Sequence, residues 1–189
     1  MSDQEANLIS SICRTLQLPP EIQRSYSNFG VKEVYDWQRE CLYTTQILNG
    51  NNLVYCAPTS GGKTLVAELI LLRTVLLLKK KVVFVLPFVS LVMEKERYLK
   101  RLLTIYNRSQ PMKDRIKVRG FYGDQGGSRS YKEHVLVCTI EKANGIFNSL
   151  VSRGKIAQLG CVMFDEMHVL GNTFNGYLLE ILIRYGLLI

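Results

Sequence analysis

The sequence feature that most constrains the fold is the octapeptide APTSGGKT at residues 57–64. It follows a short apolar run, Leu53–Cys56, and leads into a longer apolar run that begins at Leu65. A strand, a glycine-containing loop and a helix in this order form the context of a phosphate-binding loop, where backbone N–H groups and the helix dipole converge on an anion. We therefore expect a loop that cradles phosphates between a strand and a helix.

Side-chain chemistry assigns roles within this loop. Lys63 can carry positive charge to β- and γ-phosphates, and the hydroxyl of Thr64 can ligate Mg²⁺. Ala57 stands where the usual pattern has its first glycine, and alanine is small enough for a tight loop. The alternative is a chance Gly-Gly turn before a helix, which the flanking strand and helix disfavour. The candidate nucleotide-binding residues of the loop are Thr59, Ser60, Gly61, Gly62, Lys63 and Thr64.

Length and composition limit the class of protein. A chain of 189 residues can bury one substantial core. The start, Met1–Glu5, carries acids where a secretory signal carries basic residues, and no run of about 18 apolar residues predicts a membrane span. The 5 cysteines are scattered without a C-x-x-C pair. This pattern favours an intracellular, reducing compartment and disfavours a zinc site.

The positive charge is concentrated in one segment. Of the net charge of +8, residues 79–132 hold 14 Lys and Arg against 4 acids, a local excess of +10, so the remainder sums to −2. Such a segment indicates a polyanionic partner, most often nucleic acid, while a solvated basic face is an equal alternative on charge alone.

Strand-like and helix-like segments alternate along the chain. Two helices, over residues 4–18 and 21–28, are expected before a third that Asp36 caps and that runs to Leu48. Residues 107–115 and 123–129 are expected to be polar loops. The expected strands are Leu53–Cys56, Val82–Leu86, Lys117–Tyr122, Val135–Cys138 and Cys161–Asp165, and the expected helices between them are Gly62–Leu78, Val89–Ile105 and Glu141–Arg153. Apolar strands that alternate with helices predict an α/β fold, a mostly parallel sheet with helices on both faces.

A second candidate constellation follows the last expected strand. Residues 161–168 read CVMFDEMH, an apolar strand that ends in two acids. In phosphate-loop proteins the first acid at such a strand end holds Mg²⁺ and the second polarises the attacking water. We therefore assign Asp165 as a metal ligand and Glu166 as a general base, and we expect His168 to act beside the γ-phosphate rather than structurally.

The pairing of APTSGGKT with DEMH resembles the D-E-x-H group of superfamily 2 helicases. Asp36–Leu42 is similar to the Q motif of that group, which implies that the side-chain amide of Gln38 reads the adenine edge. Residues 86–95 and 138–144 are similar to motifs Ia and Ib, which line the nucleic-acid track. The resemblance implies ATP and Mg²⁺ as cofactors and phosphate contacts from Ser90, Thr139 and Lys142 to DNA.

Several further segments narrow the resemblance. Residues 29–32, 87–90, 139–145 and 176–180 are similar to the helicase-like domains of the DNA polymerase theta family, with the sister family called helicase Q as the near alternative. This likeness implies a nuclear protein of double-strand break repair. It also implies accessory helices over residues 1–30 and, over residues 31–189, an incomplete first RecA-like ATP-binding domain, truncated at its carboxyl end.

The resemblance also implies partners that this stretch of sequence lacks. In these helicases a motif III strand lies between the motif I and motif II strands, and a second RecA-like domain supplies an arginine finger. We therefore expect the 189 residues alone to bind nucleotide weakly and to unwind nothing. Two alternatives to a DNA helicase motor stay open, namely a related RNA helicase and a module that binds nucleotide and DNA without turnover.

Overall fold

The computed structural model describes residues 3–44, 49–58, 61–124, 131–166, 177 and 180–183. Short 3₁₀ turns occupy Met112–Asp114 and Ile156–Gln158. The helices are α1 (Asp3–Ala6), α2 (Ile9–Thr15), α3 (Pro20–Asn28), α4 (Asp36–Tyr43), α5 (Lys63–Leu76), α6 (Val89–Leu102), α7 (Thr104–Ser109) and α8 (Ile140–Ser152), and the strands are β1 (Lys81–Leu86), β2 (Val118–Phe121), β3 (Val135–Thr139) and β4 (Leu159–Phe164).

Within the described ranges, four strands form one parallel sheet in the order β2-β3-β1-β4. Strand β1 pairs with β3 on one side and with β4 on the other. In the register, Leu86 lies opposite Thr139, and Val85 lies opposite Phe164. Because all pairs are parallel, the carboxyl ends of the strands share one edge of the sheet and the amino ends share the other.

One face of the sheet packs on α8. This helix buries Ile140, Ala143, Ile146, Phe147 and Leu150, and a spacing of three and four residues places them on a single stripe. The strands contribute Val83, Val85, Leu136 and Cys138 to the same core cluster. Strand residues of the opposite face, such as Val82 and Phe84, are also fully buried. Burial on both faces explains why these strands are continuous apolar runs.

The predicted strand at Leu53–Cys56 is wrong. Residues 51–58 carry no regular structure and pair with none of the four strands, and the side chain of Val54 is 85% exposed. An extended segment becomes a strand only when a neighbour satisfies its backbone N–H and C=O groups. Strand β4 pairs on one side only among the described residues. In the superfamily 2 helicases that the sequence resembles, the motif III strand lies between the strands that correspond to residues 53–56 and to β4.

The chain divides into two compact units. Met1–Leu77 and Leu102–Arg115 form the first, and Leu78–Arg101 and Ile116–Ile189 form the second. In the first unit, α3 packs on α2 and on α7, while α4 packs on α5. The second unit contains the sheet and α8. The boundary at residue 30 between accessory helices and the ATP-binding domain stays a prediction.

Two local details differ from the sequence-based expectation. The helix at the Q-like motif is capped by Tyr35, with Asp36 already in its first turn, and residues 45–48 lie outside the described residues. The stretch at residues 107–115 is partly helical, because α7 and the 3₁₀ turn Met112–Asp114 occupy most of it. The side chain of Tyr106 is 7% exposed and anchors α7. The polar residues around Tyr106 made this helix look like a loop in the sequence.

The buried cysteines behave as small apolar residues. All five cysteines are free; Cys13 and Cys138 are buried, whereas Cys56 is exposed. Burial raises the pKa of the Cys13 thiol to about 12 and that of the Cys161 thiol to about 11. These thiols therefore stay protonated and unreactive at neutral pH. No helix within the described residues is long and apolar enough to cross a membrane.

His134 links β3 to β2 in its neutral form. The backbone N–H of Lys117 donates to Nδ1 of His134 at 3.0 Å, so Nδ1 must be unprotonated. The pKa of His134 is lowered first by burial and then by the charges of Lys81, Lys117 and Lys79, which outweigh the opposing effect of Glu133. Protonation would remove the acceptor and add a cation among cations.

We expect stability to fall on acidification because of this histidine. The native pKa lies below the ordinary value of about 6.5, so the unfolded chain binds the proton first. The contribution of neutral His134 is complete above that value and is lost as the pH falls below it. The slope stays under about 1.4 kcal/mol per pH unit, the value for one whole proton, because the two states differ by less than one bound proton at this residue.

The measurement is the free energy of urea unfolding at pH 7.5, 6.5 and 5.5. His134→Asn is the matched variant, since its side-chain oxygen can still accept from Lys117 while the group no longer titrates. The variant should lose less stability than the wild type across this range. Equal losses would show that His134 does not control the pH dependence.

Candidate functional site

The end of the phosphate-binding loop is a glycine turn that starts α5. Gly62 is the N-cap residue and has a φ of 73°, a left-handed conformation that favours glycine. The N–H of Gly61 donates to the carbonyl of Pro58 at 3.0 Å. A Cβ on Gly61 would lie 2.9 Å from that oxygen and 3.4 Å from Cβ of Ala57. The loop is therefore tight at Gly61, and Ala57 fits beside it because it is small.

The side chain of Lys63 folds back over its own loop. Its ammonium group donates to the carbonyl of Ala57 at 2.8 Å and to that of Pro58 at 3.1 Å. These acceptors are neutral, and a phosphate oxygen is a stronger acceptor for an ammonium group. Thr64 follows in the first turn of α5 and is partly buried. The arrangement places a cation and a hydroxyl at the amino end of a 14-residue helix.

Gln38 connects α4 to this loop. Its Oε1 accepts from the N–H of Tyr35 at 2.8 Å and its Nε2 donates to the carbonyl of Gly62 at 2.7 Å. The residue is 2% exposed. One N–H of Nε2 and one lone pair of Oε1 remain beyond these two bonds. Gln38 therefore positions the loop, and its contact with adenine stays a prediction.

Two aromatic residues support the same loop, and the sequence analysis missed both. The hydroxyl of Tyr55 donates to the carbonyl of Lys63 at 2.7 Å. The ring of Trp37 lies 5.8 Å from the ring of Tyr55 at an angle of 37°. Position beside the motifs was the one hint, because Trp37 adjoins Gln38 and Tyr55 stands two residues before Ala57. The hydrogen bond itself ends on a backbone carbonyl, which leaves no pattern in the sequence.

The two acids follow directly on β4 at the carboxyl edge of the sheet. The N–H of Asp165 donates to the carbonyl of Val85 at 3.2 Å, which continues the ladder one residue past the strand. Glu166 then turns with a φ of 58°, and its N–H donates to Oδ1 of Asp165 at 3.0 Å. A left-handed conformation at a residue other than glycine is strained by about 1 kcal/mol or more. The turn thus places the two adjacent acids immediately after the strand.

The three predicted DNA contacts lie in the second unit. Ser90 is exposed in the first turn of α6, which follows β1. Thr139 ends β3, is the N-cap of α8 and is 5% exposed, while Lys142 lies in the first turn of α8 and is partly buried. Because β1 and β3 are adjacent and parallel, all three share the carboxyl edge of the sheet. Thr59, Ser60 and His168 lie outside the described residues.

Comparison with protein families identifies the chain. Residues 35–186, well over half of the sequence, match the model of the DEAD/DEAH box helicase family. The chain is 44% identical over 167 residues to DNA polymerase theta of Mus musculus, covering 88% of this chain and 6% of that protein. It is 36% identical over 168 residues to Helicase POLQ-like of Homo sapiens, covering 86% of this chain and 14% of that one. The chain thus spans a small part of these relatives.

A solved structure shares the fold. The crystal structure of the DUF1998 helicase MrfA bound to DNA and AMPPNP superposes with a TM-score of 0.67 at 20% identity, over 89% of this chain and 24% of that chain. The parallel sheet, the glycine turn before α5 and the acids after β4 agree with the α/β, RecA-like fold predicted from the sequence. With a family model matched over residues 35–186, the chain belongs to the DEAD/DEAH box helicase family.

Proposed function

We propose that this chain is the ATP-binding motor domain of an ATP-dependent DNA helicase that couples ATP hydrolysis to movement on DNA. The observation that carries the proposal is the loop before α5, where Lys63 is bonded to two loop carbonyls and Gly62 turns into the helix. The similarity to proteins named DNA polymerase theta and Helicase POLQ-like supports DNA rather than RNA as the partner. A nuclear role in double-strand break repair stays a prediction.

The loop residues suit a triphosphate. The ammonium of Lys63 can exchange two neutral carbonyl acceptors for phosphate oxygens, and the N–H groups at the start of α5 favour an anion. Gln38 and Tyr55 hold the carbonyls of Gly62 and Lys63, so the turn keeps its shape during that exchange. Thr64 and Asp165 stay the predicted ligands of Mg²⁺, which would neutralise phosphate charge. A second RecA-like domain stays the predicted partner.

Glu166 is the proposed base that takes a proton from the attacking water. Its N–H donates to Oδ1 of Asp165, and its left-handed φ makes a turn directly after β4. In this proposal the carboxylate of Asp165 serves the metal and that of Glu166 serves the water. Movement on DNA then needs contacts that carry no base information, and Ser90, Thr139 and Lys142 at the carboxyl edge are the proposed set.

Replacing the loop lysine should weaken nucleotide binding. We expect Lys63→Ala to reduce ATP affinity about 10- to 100-fold, since charge-assisted hydrogen bonds contribute about 1.5–3 kcal/mol. Fluorescent ATP titration, with thermal unfolding as a check on folding, measures this. Lys32→Ala removes the same charge from an exposed site and should bind normally. Unchanged affinity of folded Lys63→Ala would contradict the assigned site.

Replacing the proposed base should separate binding from turnover. We expect Glu166→Gln to keep ATP affinity and to slow hydrolysis about 10²- to 10⁴-fold, the usual contribution of a general base. The assay is steady-state ATP hydrolysis with DNA by the natural protein that carries this chain. Glu33→Gln, an exposed carboxylate elsewhere, is the control. Hydrolysis at the wild-type rate in Glu166→Gln would refute the role, and a turnover-free wild type would favour the binding-module alternative.

The DNA contact of Lys142 should be visible in the salt dependence of binding. We expect Lys142→Ala to reduce the slope of log affinity against log salt by about 0.7 for single-stranded DNA. Lys113→Ala, an exposed lysine in the 3₁₀ turn, is the matched control and should leave the slope unchanged. An unaltered slope in Lys142→Ala would remove this residue from the track. Tighter binding to RNA than to DNA of one sequence would favour the RNA helicase alternative.

A further inference from the structure

The amino edge of the sheet carries a group of cations that the proposed function does not use. Residues 79–81 lead into β1, Lys117 precedes β2, Lys132 lies just before β3, and Lys155 comes before the turn that leads to β4. Arg153 ends α8, which runs back from the carboxyl edge. The amino-edge cluster consists of Lys79, Lys80, Lys117, Lys132, Arg153 and Lys155, all of them exposed.

Their closeness follows from hydrogen bonds and electrostatic effects as well as from topology. The backbone of Lys117 bonds His134 in both directions, and Val82 donates to the carbonyl of His134 at 2.9 Å. The charges of Lys79, Lys81 and Lys117 all help to lower the pKa of His134, after burial. Burial lowers the pKa of Lys81, and the charge of Lys155 lowers it further against the effect of Glu133. Lys79 and Lys117 therefore lie within electrostatic reach of His134, and Lys155 lies within reach of Lys81.

Lys81 fixes the centre of this edge. Its ammonium donates to the carbonyls of Tyr131 at 2.8 Å and Glu133 at 2.7 Å, so it ties the start of β1 to the segment before β3. Glu133 is the acid at this edge that the structure describes, and its Oε1 accepts from Arg119 at 3.3 Å. None of the six exposed cations forms an ion pair with a described carboxylate. Among the described residues, no ion pair therefore offsets the repulsion within the cluster.

The surface beside the cluster suits an anion. A cavity of about 40 Å³ opens there. Its lining includes Arg153, Lys155 and Ser149, which combine two cations with a hydroxyl group. Room for a few oxygen atoms among such donors suits a phosphate group.

We infer that the amino-edge cluster is a second DNA-binding surface, which holds the sugar–phosphate backbone at the edge of the sheet opposite the proposed helicase track. Adjacent strands lie about 4.8 Å apart, so four strand starts spread the cations over about 14 Å. Duplex DNA carries one charge per about 1.7 Å of axis, and several phosphates face a row of this length. Lysines dominate the row, and lysine is a point charge that suits phosphate rather than base edges.

This inference rests on the proposed function in one respect, that DNA is the partner, and one variant separates the two. Lys80→Gln/Lys117→Gln/Lys155→Gln removes one exposed charge at each of three strand starts and leaves Lys81 and the proposed track intact. The matched control, Arg24→Gln/Arg108→Gln/Lys113→Gln, removes three exposed charges of the first unit. Both are compared in the natural protein that carries this chain, with circular dichroism as the check on folding.

The measurement is the affinity for a 30-base-pair duplex as a function of salt, followed by DNA-stimulated ATP hydrolysis. Each lost phosphate contact lowers the log–log slope by about 0.9 for duplex DNA, so the slope should fall by up to about 2.7. The DNA concentration for half-maximal stimulation should rise, while the maximal rate should stay within twofold. The control should match the wild type.

The contrary results are distinct. An unchanged slope in the folded triple variant would overturn the second surface, and intact stimulation in that variant would leave the proposed function standing. Loss of the maximal hydrolysis rate in the triple variant would also overturn the second DNA-binding surface, because the cluster would then serve ATP hydrolysis directly. If the wild type binds polyglutamate, the triple variant does not, and the salt slope for DNA is unchanged, the surface binds an acidic protein instead.

Discussion

The parallel pairing of β1 with both of its neighbours is the interaction on which the described second unit depends. Residues Val82–Leu86 are buried at 0–2% exposure, and their backbone groups bond β3 on one side and β4 on the other. Because all strands run in the same direction, every loop that follows a strand lies at the same edge of the sheet. The acids after β4, the start of α6 and the start of α8 meet there for that reason alone.

The phosphate-binding loop depends on a residue that lies 24 positions earlier in the sequence. Gln38 satisfies the N-terminus of α4 through Oε1 and holds Gly62 through Nε2, so one buried amide fixes two helix starts. A Cβ on Gly62 would lie 2.5 Å from that Nε2. Glycine at this position is therefore required twice, by its left-handed φ and by the approach of Gln38. This arrangement makes the Q-like motif a structural support of the loop as well as a candidate for contact with the base.

The sequence predicted the parts of the fold whose pattern is complete within a segment. The starts of α5, α6 and α8 were found within one residue, because apolar spacing and the glycine turn are local signals. Strand Leu53–Cys56 was wrong because a strand also needs a partner, and an apolar run carries no information about its partner. The roles of Tyr55 and Lys81 were missed for a related reason, since each bonds a carbonyl group that no sequence pattern reveals.

The two edges of the sheet differ in charge: carboxylates lie at the carboxyl edge and exposed lysines at the amino edge. At the carboxyl edge, Asp165 and Glu166 sit on a strained turn that positions carboxylates, which suits a site that reacts. At the amino edge, only connections are needed, and short polar turns would serve. Exposed lysines precede all four strand starts there instead, and their mutual repulsion opposes folding. These charges weaken the fold and form no ion pair with a described carboxylate. A bound polyanion would offset their repulsion, which gives a reason for so many lysines at this edge. Part of the net excess of +10 over residues 79–132 therefore lies at the amino edge of the sheet, away from the proposed site of ATP hydrolysis.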